Sequence, residues 1–163
     1  MKPLPIDPRE KVCHHVDALF GTGVSATLLL EPNLQFEYSR KTGRIKNFSI
    51  NKQLVATLRT DGGLALTLFG AQYFVTNSKK FLENCIKPVT DVISFVSEGR
   101  SLFCKHVEWC GSNIKVGSDT AVIDESHTVL AVGVALIDST LMKMYQKGVA
   151  VKVRQGIKSR TGE

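Results

Sequence analysis

Gly148-Val-Ala-Val-Lys-Val-Arg154 is the stretch from which the fold is read. Its alternation sends Val149, Val151 and Val153 to one face and Ala150, Lys152 and Arg154 to the other. The first face reads as barrel core, the second as a basic, solvent-facing stripe suited to a phosphate backbone. Upstream, strands are predicted over 102–106, 120–124 and 129–137, around turns at Gly117-Ser-Asp119 and Asp124-Glu-Ser-His127. A helix over 91–98 stops at Gly99, and 139–145 holds one or two helical turns. Short strands at this spacing predict a small barrel or pseudobarrel, which limits exposed sheet edges.

The first half reads differently. A helix over 8–20 has Asp7 as its N-cap, Pro8 at its first position and Gly21 just beyond its end. Val12, Val16, Leu19 and Phe20 share one side, which should cover a sheet. Strands are predicted over 26–30, 34–39, 43–50, 53–58 and 64–68. The connections between them are short, so neighbours should run antiparallel. Asn51-Lys52 makes a two-residue hairpin that holds Lys52 in a left-handed conformation, at a cost of roughly 1 kcal/mol. A short helix over 70–75 leads to a linker over 76–80. The expected class is α+β: an antiparallel sheet with a packed helix over 1–80, then the pseudobarrel over 81–163.

The chain of 163 residues carries 21 Lys and Arg against 15 Asp and Glu, a formal charge of +6. Basic exceed acidic residues by 11 to 6 up to Lys80 and by 10 to 9 from Phe81 on, so the excess is N-terminal. This balance fits a nucleic-acid partner without requiring one. Cys13, Cys85, Cys104 and Cys110 show no CxxC spacing and read as reduced thiols of a cytoplasmic protein. No signal stretch and no apolar run long enough for a membrane span is visible. The length falls short of the roughly 250 residues of a (β/α)₈ barrel. GxGxxG and GxxxxGK[ST] fingerprints are absent, so no cofactor is expected.

The segments Glu98-Gly-Arg-Ser-Leu-Phe-Cys-Lys105, Val116-Gly-Ser-Asp-Thr-Ala-Val-Ile-Asp124, Val129-Leu-Ala-Val-Gly-Val-Ala135 and Gly148–Arg154, in that order, resemble a PUA domain. Arg44-Ile-Lys-Asn-Phe-Ser-Ile-Asn-Lys-Gln-Leu-Val-Ala-Thr-Leu-Arg59 and Asp61-Gly-Gly-Leu-Ala-Leu-Thr-Leu68 resemble the module that precedes the PUA domain in archaeal archaeosine tRNA-guanine transglycosylases. A related two-module tail is found in archaeosine synthase. The resemblance implies an α+β module followed by a PUA pseudobarrel. It also implies binding of the tRNA acceptor stem and 3′ end, without catalysis, in support of a separately encoded modification enzyme. Lys52 stands where that family usually has glycine.

Two groups of candidate RNA-binding residues follow. Gly99, Arg100 and Ser101 form the helix-to-strand loop at which the resemblance implies close approach of the RNA backbone; Lys105, Lys147, Gly148, Lys152 and Arg154 lie on or beside strands. Arg40, Lys41, Arg44, Lys46 and Arg59 form the densest basic cluster and could extend the footprint along an RNA helix. Lys158 and Arg160 are weaker candidates in a frayed tail. Cys13-His14-His15 does not make a metal site, since adjacent helical residues diverge by about 100°. Cys104, His106 and Cys110 lack a fourth ligand, and no metal is expected. Phe103 reads as core, while Trp109 is open to either a buried or a stacking role. A protein-interaction adaptor, or an independent nucleotide-acting enzyme, are the competing readings.

Overall fold

A computed structural model describes residues 6–159. Helix α1, Pro8–Phe20, has the expected cap, with the Asp7 carboxylate accepting from the Arg9 amide, and Gly21 follows at φ 126°. It buries Val12, Cys13, Val16 and Phe20, whereas Leu19 lies partly in solvent. The segment expected as a first strand is instead a helical turn, α2, Ala26–Leu29. Ala and Leu favour helix, and the run has no polar alternation to specify a sheet face; only Leu28 is buried.

Strands β1 (Leu34–Tyr38), β2 (Ile45–Ile50), β3 (Gln53–Leu58) and β4 (Leu64–Leu66) form an antiparallel meander in the order β1-β2-β3-β4. Asn51 and Lys52 both have positive φ, at 50° and 68°. β4 is shorter than expected because Thr67 leaves the strand to cap a helix, its hydroxyl accepting from the Gly70 amide at 2.9 Å. That helix, α3, runs over Leu68–Asn77 and absorbs the start of the expected linker. The rest of the linker enters a 3₁₀ helix, Lys79–Asn84, because Phe81 is fully buried and pulls the chain inward.

The second sheet has six strands and curls into a nearly closed pseudobarrel. Two of its strands, β5 (Cys85–Pro88) and β7 (Val107–Cys110), were not expected. A short helix α4, Ile93–Ser97, is followed by β6, only Leu102–Phe103; residues Cys104–His106 then turn as 3₁₀ helix to bring β7 beside β5. β8 (Asp119–Ile123), β9 (Val129–Ala135), α5 (Ser139–Met144) and β10 (Val149–Gly156) complete the chain. The sheet order is β6-β10-β9-β8-β5-β7, with β5 parallel to β8 and the other neighbours antiparallel. The two-face reading of β10 needs correction: Ala150 is fully buried, while Val149 and Val153 are half-buried. Register shifts between Val149 and Val151 and between Val153 and Gln155 break the strict period of two.

One apolar core lies inside the barrel, around Ile86, Leu102, Ile114, Val122, Met142 and Val151. The other joins the two sheets: Val16, Phe20, Phe48 and Phe74 pack in one cluster with Cys85, Ala121, Ile123 and Val132. Phe81 sits at the junction, its ring 5.3 Å from Phe20 and 5.4 Å from Phe74. Gln72 of α3 ties the halves further, donating to the His127 carbonyl at 3.1 Å and accepting from the Val129 amide at 2.8 Å. The orientation of the two sheets is therefore set by packing and by directional bonds together.

Candidate nucleic-acid interface

The helix-to-strand loop enters the barrel edge at a glycine. Gly99 follows α4 at φ 101°, donates its N–H to the Val96 carbonyl at 3.0 Å, and would press an added Cβ to 3.3 Å from the Ser159 Cβ. Arg100 donates its amide to the Phe95 carbonyl, and its guanidinium lies 5.3 Å above the Phe95 ring. Ser101 is half-buried. The loop feeds β6, which pairs with β10 through Phe103↔Val149 and Leu102↔Val151. The Cys104 amide donates to the Gly148 carbonyl at 2.9 Å. Lys105 and Lys147, each next in sequence to one of those two residues, are thereby brought to the same edge. Gly148 has φ 92° and open space where a Cβ would stand, so another backbone can come close there. Arg100, Lys105, Lys147 and Lys152 are exposed and form no ion pair among the described residues.

Arg154 does not belong with them. Its guanidinium donates to both oxygens of Asp119, at 2.9 and 3.0 Å, and to the Leu66 carbonyl at 2.6 Å. The expected free cation is an internal fastening because Asp119, on β8, faces it from two strands away. Burial pushes the Asp119 carboxyl up, against the lowering pull of Arg154 and of the Leu66 amide. Lys152, Val134 and Asp119 stand in one cross-strand row, so Lys152 shares the face on which this pair lies.

In the first sheet, antiparallel topology puts the β1–β2 and β3–β4 turns at the same end, which gathers Arg40, Lys41, Arg44 and Arg59. Arg40, Lys41 and Arg44 are exposed and form no ion pair among the described residues. Arg59 is paired with Asp61 at 2.6 Å and Lys46 with Glu37 at 3.7 Å, so both offer less free charge than the sequence implied.

Phe103, expected in the core, is 46% exposed at the β6 edge, because its strand is too short to be covered on both faces. Trp109 is partly exposed, with the Lys87 ammonium 5.5 Å over its ring and Glu125 at 3.7 Å from the same ammonium. Lys158 is not frayed: its amide donates to the Ser97 carbonyl at 2.7 Å. Arg160 lies outside the described residues. Cys13 is buried in α1 and His14 exposed, while the His15 Nε2–H donates to the Gly62 carbonyl. All four thiols are buried, and burial raises each of them, which disfavours the nucleophilic thiolate. No group of three or more metal-ligating side chains occurs, and no helix is long and apolar enough to cross a membrane, among the described residues.

Comparison with known proteins accounts for both sheets. Residues 16–80 match the family described as the patch-forming domain C2 of tRNA-guanine transglycosylase, and residues 90–157 match the PUA domain. The chain is a C2 domain followed by a PUA domain. It is 31% identical over 153 residues to a tRNA-guanine(15) transglycosylase of Methanobrevibacter smithii, covering 93% of this chain and 23% of the relative. The corresponding protein of Picrophilus torridus is 34% identical over 121 residues, 73% of this chain and 19% of the relative. The chain thus spans about a quarter of these relatives, a C-terminal portion. A hypothetical protein of Pyrococcus horikoshii shares the fold over 98% of this chain and 95% of its own, with TM-score 0.73 and 17% identity. A PUA domain protein of Thermoplasma acidophilum does so over 94% and 93%, with TM-score 0.64 and 14% identity.

Asp119 is the functional neighbour that the sequence alone hides, since there it reads only as part of a turn. A carboxylate directly before the apolar run Thr120-Ala-Val-Ile123 was the available signal, since such an acid must find a partner when its strand is buried.

Proposed function

We propose that this C2–PUA chain is a noncatalytic tRNA-binding protein that seats the acceptor stem and 3′ end and presents the tRNA to a separately encoded modification enzyme, in the setting of archaeosine formation. The observation that carries the reading is the barrel edge along β6 and β10, with Gly99, Arg100 and Ser101 at one end and Lys105, Lys147 and Gly148 at the other, and unpaired cations beside two glycines of positive φ. Such an edge offers phosphates fixed positive charge, and at Gly148 it lets a backbone approach without a Cβ in the way, whereas the space over Gly99 is taken by Ser159. Lys152 adds charge on the outer face of β10. Phe103, half in solvent beside this edge, supplies a surface on which an unpaired base can stack. Arg40, Lys41 and Arg44, at the far sheet's end, extend the same attraction along a helical stem. The division of labour at residue 80 belongs to this proposal: 1–80 lengthens the footprint and 81–163 seats the end. A cytoplasmic location fits a protein that acts on tRNA.

The test is tRNA binding by the purified chain across a salt series. Changing Lys105, Lys147 and Lys152 together to Glu should weaken binding at least about tenfold and lower the slope of log K against log salt by about three, one unit for each phosphate no longer neutralised. Arg154 is left intact so that the fold's own ion pair is undisturbed. A parent affinity for tRNA that is flat in salt, or a triple variant that binds as the parent does, overturns the reading. Equal affinity for whole tRNA and for tRNA trimmed of its 3′ terminal nucleotides would remove the acceptor-end assignment.

A further inference from the structure

β4 is an edge strand, and at Leu66 both its backbone groups point away from β3. Asp119 of β8 accepts the Leu66 N–H at 2.7 Å, and Arg154 of β10 donates to the Leu66 carbonyl at 2.6 Å. The same two side chains bond each other through both carboxylate oxygens. A donor and an acceptor spaced for one residue of an edge strand are what a neighbouring strand would offer. Here they come from side chains of the other domain. The Asp119 side chain is 2% exposed and that of Arg154 37%, so the ring is closed to solvent on the acid's side.

From this geometry we infer that Asp119 and Arg154 form a positioning latch that fixes the C2 sheet against the PUA barrel, so that Arg40, Lys41 and Arg44 and the barrel's cations engage one RNA at a set spacing. The inference rests on the proposed RNA binding for its consequence, though not for its geometry. Replacing a buried ion pair by apolar groups is often neutral for stability, while the pair restricts the arrangements open to the fold. A latch of this kind therefore acts on orientation more than on unfolding. It also sits two residues from Lys152, so a change of angle at Leu66 moves that cation relative to the C2 turns. The Arg154 guanidinium is engaged by Asp119 and by the Leu66 carbonyl, which makes it a positioning residue and not a contact for phosphate.

The test uses the full chain as parent, as Arg154→Met, and as Asp119→Leu with Arg154→Met, the last leaving neither a buried carboxylate unpaired nor a side chain able to bond the Leu66 backbone. Residual dipolar couplings report the relative orientation of the two domains, and binding is measured to whole tRNA and to a short single-stranded oligonucleotide of the 3′ terminal sequence. In the parent one alignment tensor should fit both domains in the arrangement of the structure; in the double variant, whose domains still share a core, the C2 couplings should show a changed orientation or a reduced amplitude relative to the barrel. Affinity for tRNA should fall about tenfold as preorganisation is lost, with the short oligonucleotide, which one domain can hold, changed less than about twofold. Couplings that fit the parent arrangement unchanged in the double variant overturn the latch. So does an unchanged tRNA affinity despite an altered arrangement, or an equal loss for both RNAs, which would make Arg154 a direct contact. A parent that binds neither RNA would instead sink the RNA reading, and the tensors alone would then decide whether the latch holds the domains.

Discussion

Lys52 occupies a conformation for which its side chain is ill suited. Both residues of the β2–β3 turn have positive φ, as a two-residue hairpin with the right twist demands. Asparagine at 51 tolerates this; lysine at 52 costs about 1 kcal/mol or more. Glycine there relieves the strain but also loosens the unfolded chain, which takes back roughly half the gain. Lys52→Gly should therefore stabilise the protein by about 0.5 kcal/mol, raising Tm by about 1–2 °C in a chain of this size. Equal or lower Tm in the variant would mean that the turn is not strained. The side chain is exposed and forms no ion pair among the described residues, so the substitution changes little besides the backbone's freedom.

At the scale of elements, one carboxylate helps join the 3₁₀ helix Lys79–Asn84 to the turn after β7, beside the bonds from Asn113 to the Glu83 carbonyl and to the Asn84 side chain. Glu83 accepts from both the hydroxyl and the amide of Ser112, at 2.6 and 2.9 Å, and these bonds, the hydroxyl's first, hold it below its usual range. A carboxyl lowered by folding stabilises above its unfolded pKa, near 4.5, and loses that contribution as pH falls further. Glu83→Gln should thus be less stable than the parent at neutral pH, by under about 1 kcal/mol for so exposed a group, and the gap should close below pH 4.5. A gap that does not narrow at all as pH falls from neutral to about 3 would show that the carboxylate's charge is not what holds the turn. Elements with strong local signals were legible in the sequence: α1 from its cap and stop, the β1–β4 meander from alternation and turn residues, the barrel from its glycine-spaced strands. β5 and β7 were not, because each is only four residues long, and β5 ends in Pro88, which has no N–H to give a ladder. The Gly99 loop could be placed by local order, since the strand it enters follows directly; Lys105, expected on that strand, lies instead in the 3₁₀ turn Cys104–His106 after it. The fate of Arg154 could not, because Asp119 and Leu66 lie 35 and 88 residues away in sequence.

Across the whole molecule, the two domains share a core and so should share an unfolding transition. Phe81 is fully buried where they meet, against Phe20 and Phe74 of the first and close in sequence to Cys85 of the second, which joins the same cluster. Truncating such a ring removes its transfer free energy and leaves a cavity lined from both sides, a loss of about 3–5 kcal/mol. If the core is shared, that loss cannot be confined to one domain. Phe81→Ala should lower the urea midpoint seen by Trp109 fluorescence, which reports the barrel, and by far-UV circular dichroism, which includes the helices of both domains, by the same amount. Coincident curves are the signature of two-state unfolding, and they should remain coincident in the variant. A barrel signal that keeps the parent midpoint while the helical signal moves would separate the domains energetically. In that case the set spacing between the C2 turns and the barrel edge would rest on directional bonds, namely the Leu66 ring, the Gln72 pair and those of Asn113 and Asn84 to the Leu19 and Phe20 carbonyls, more than on the packing between them.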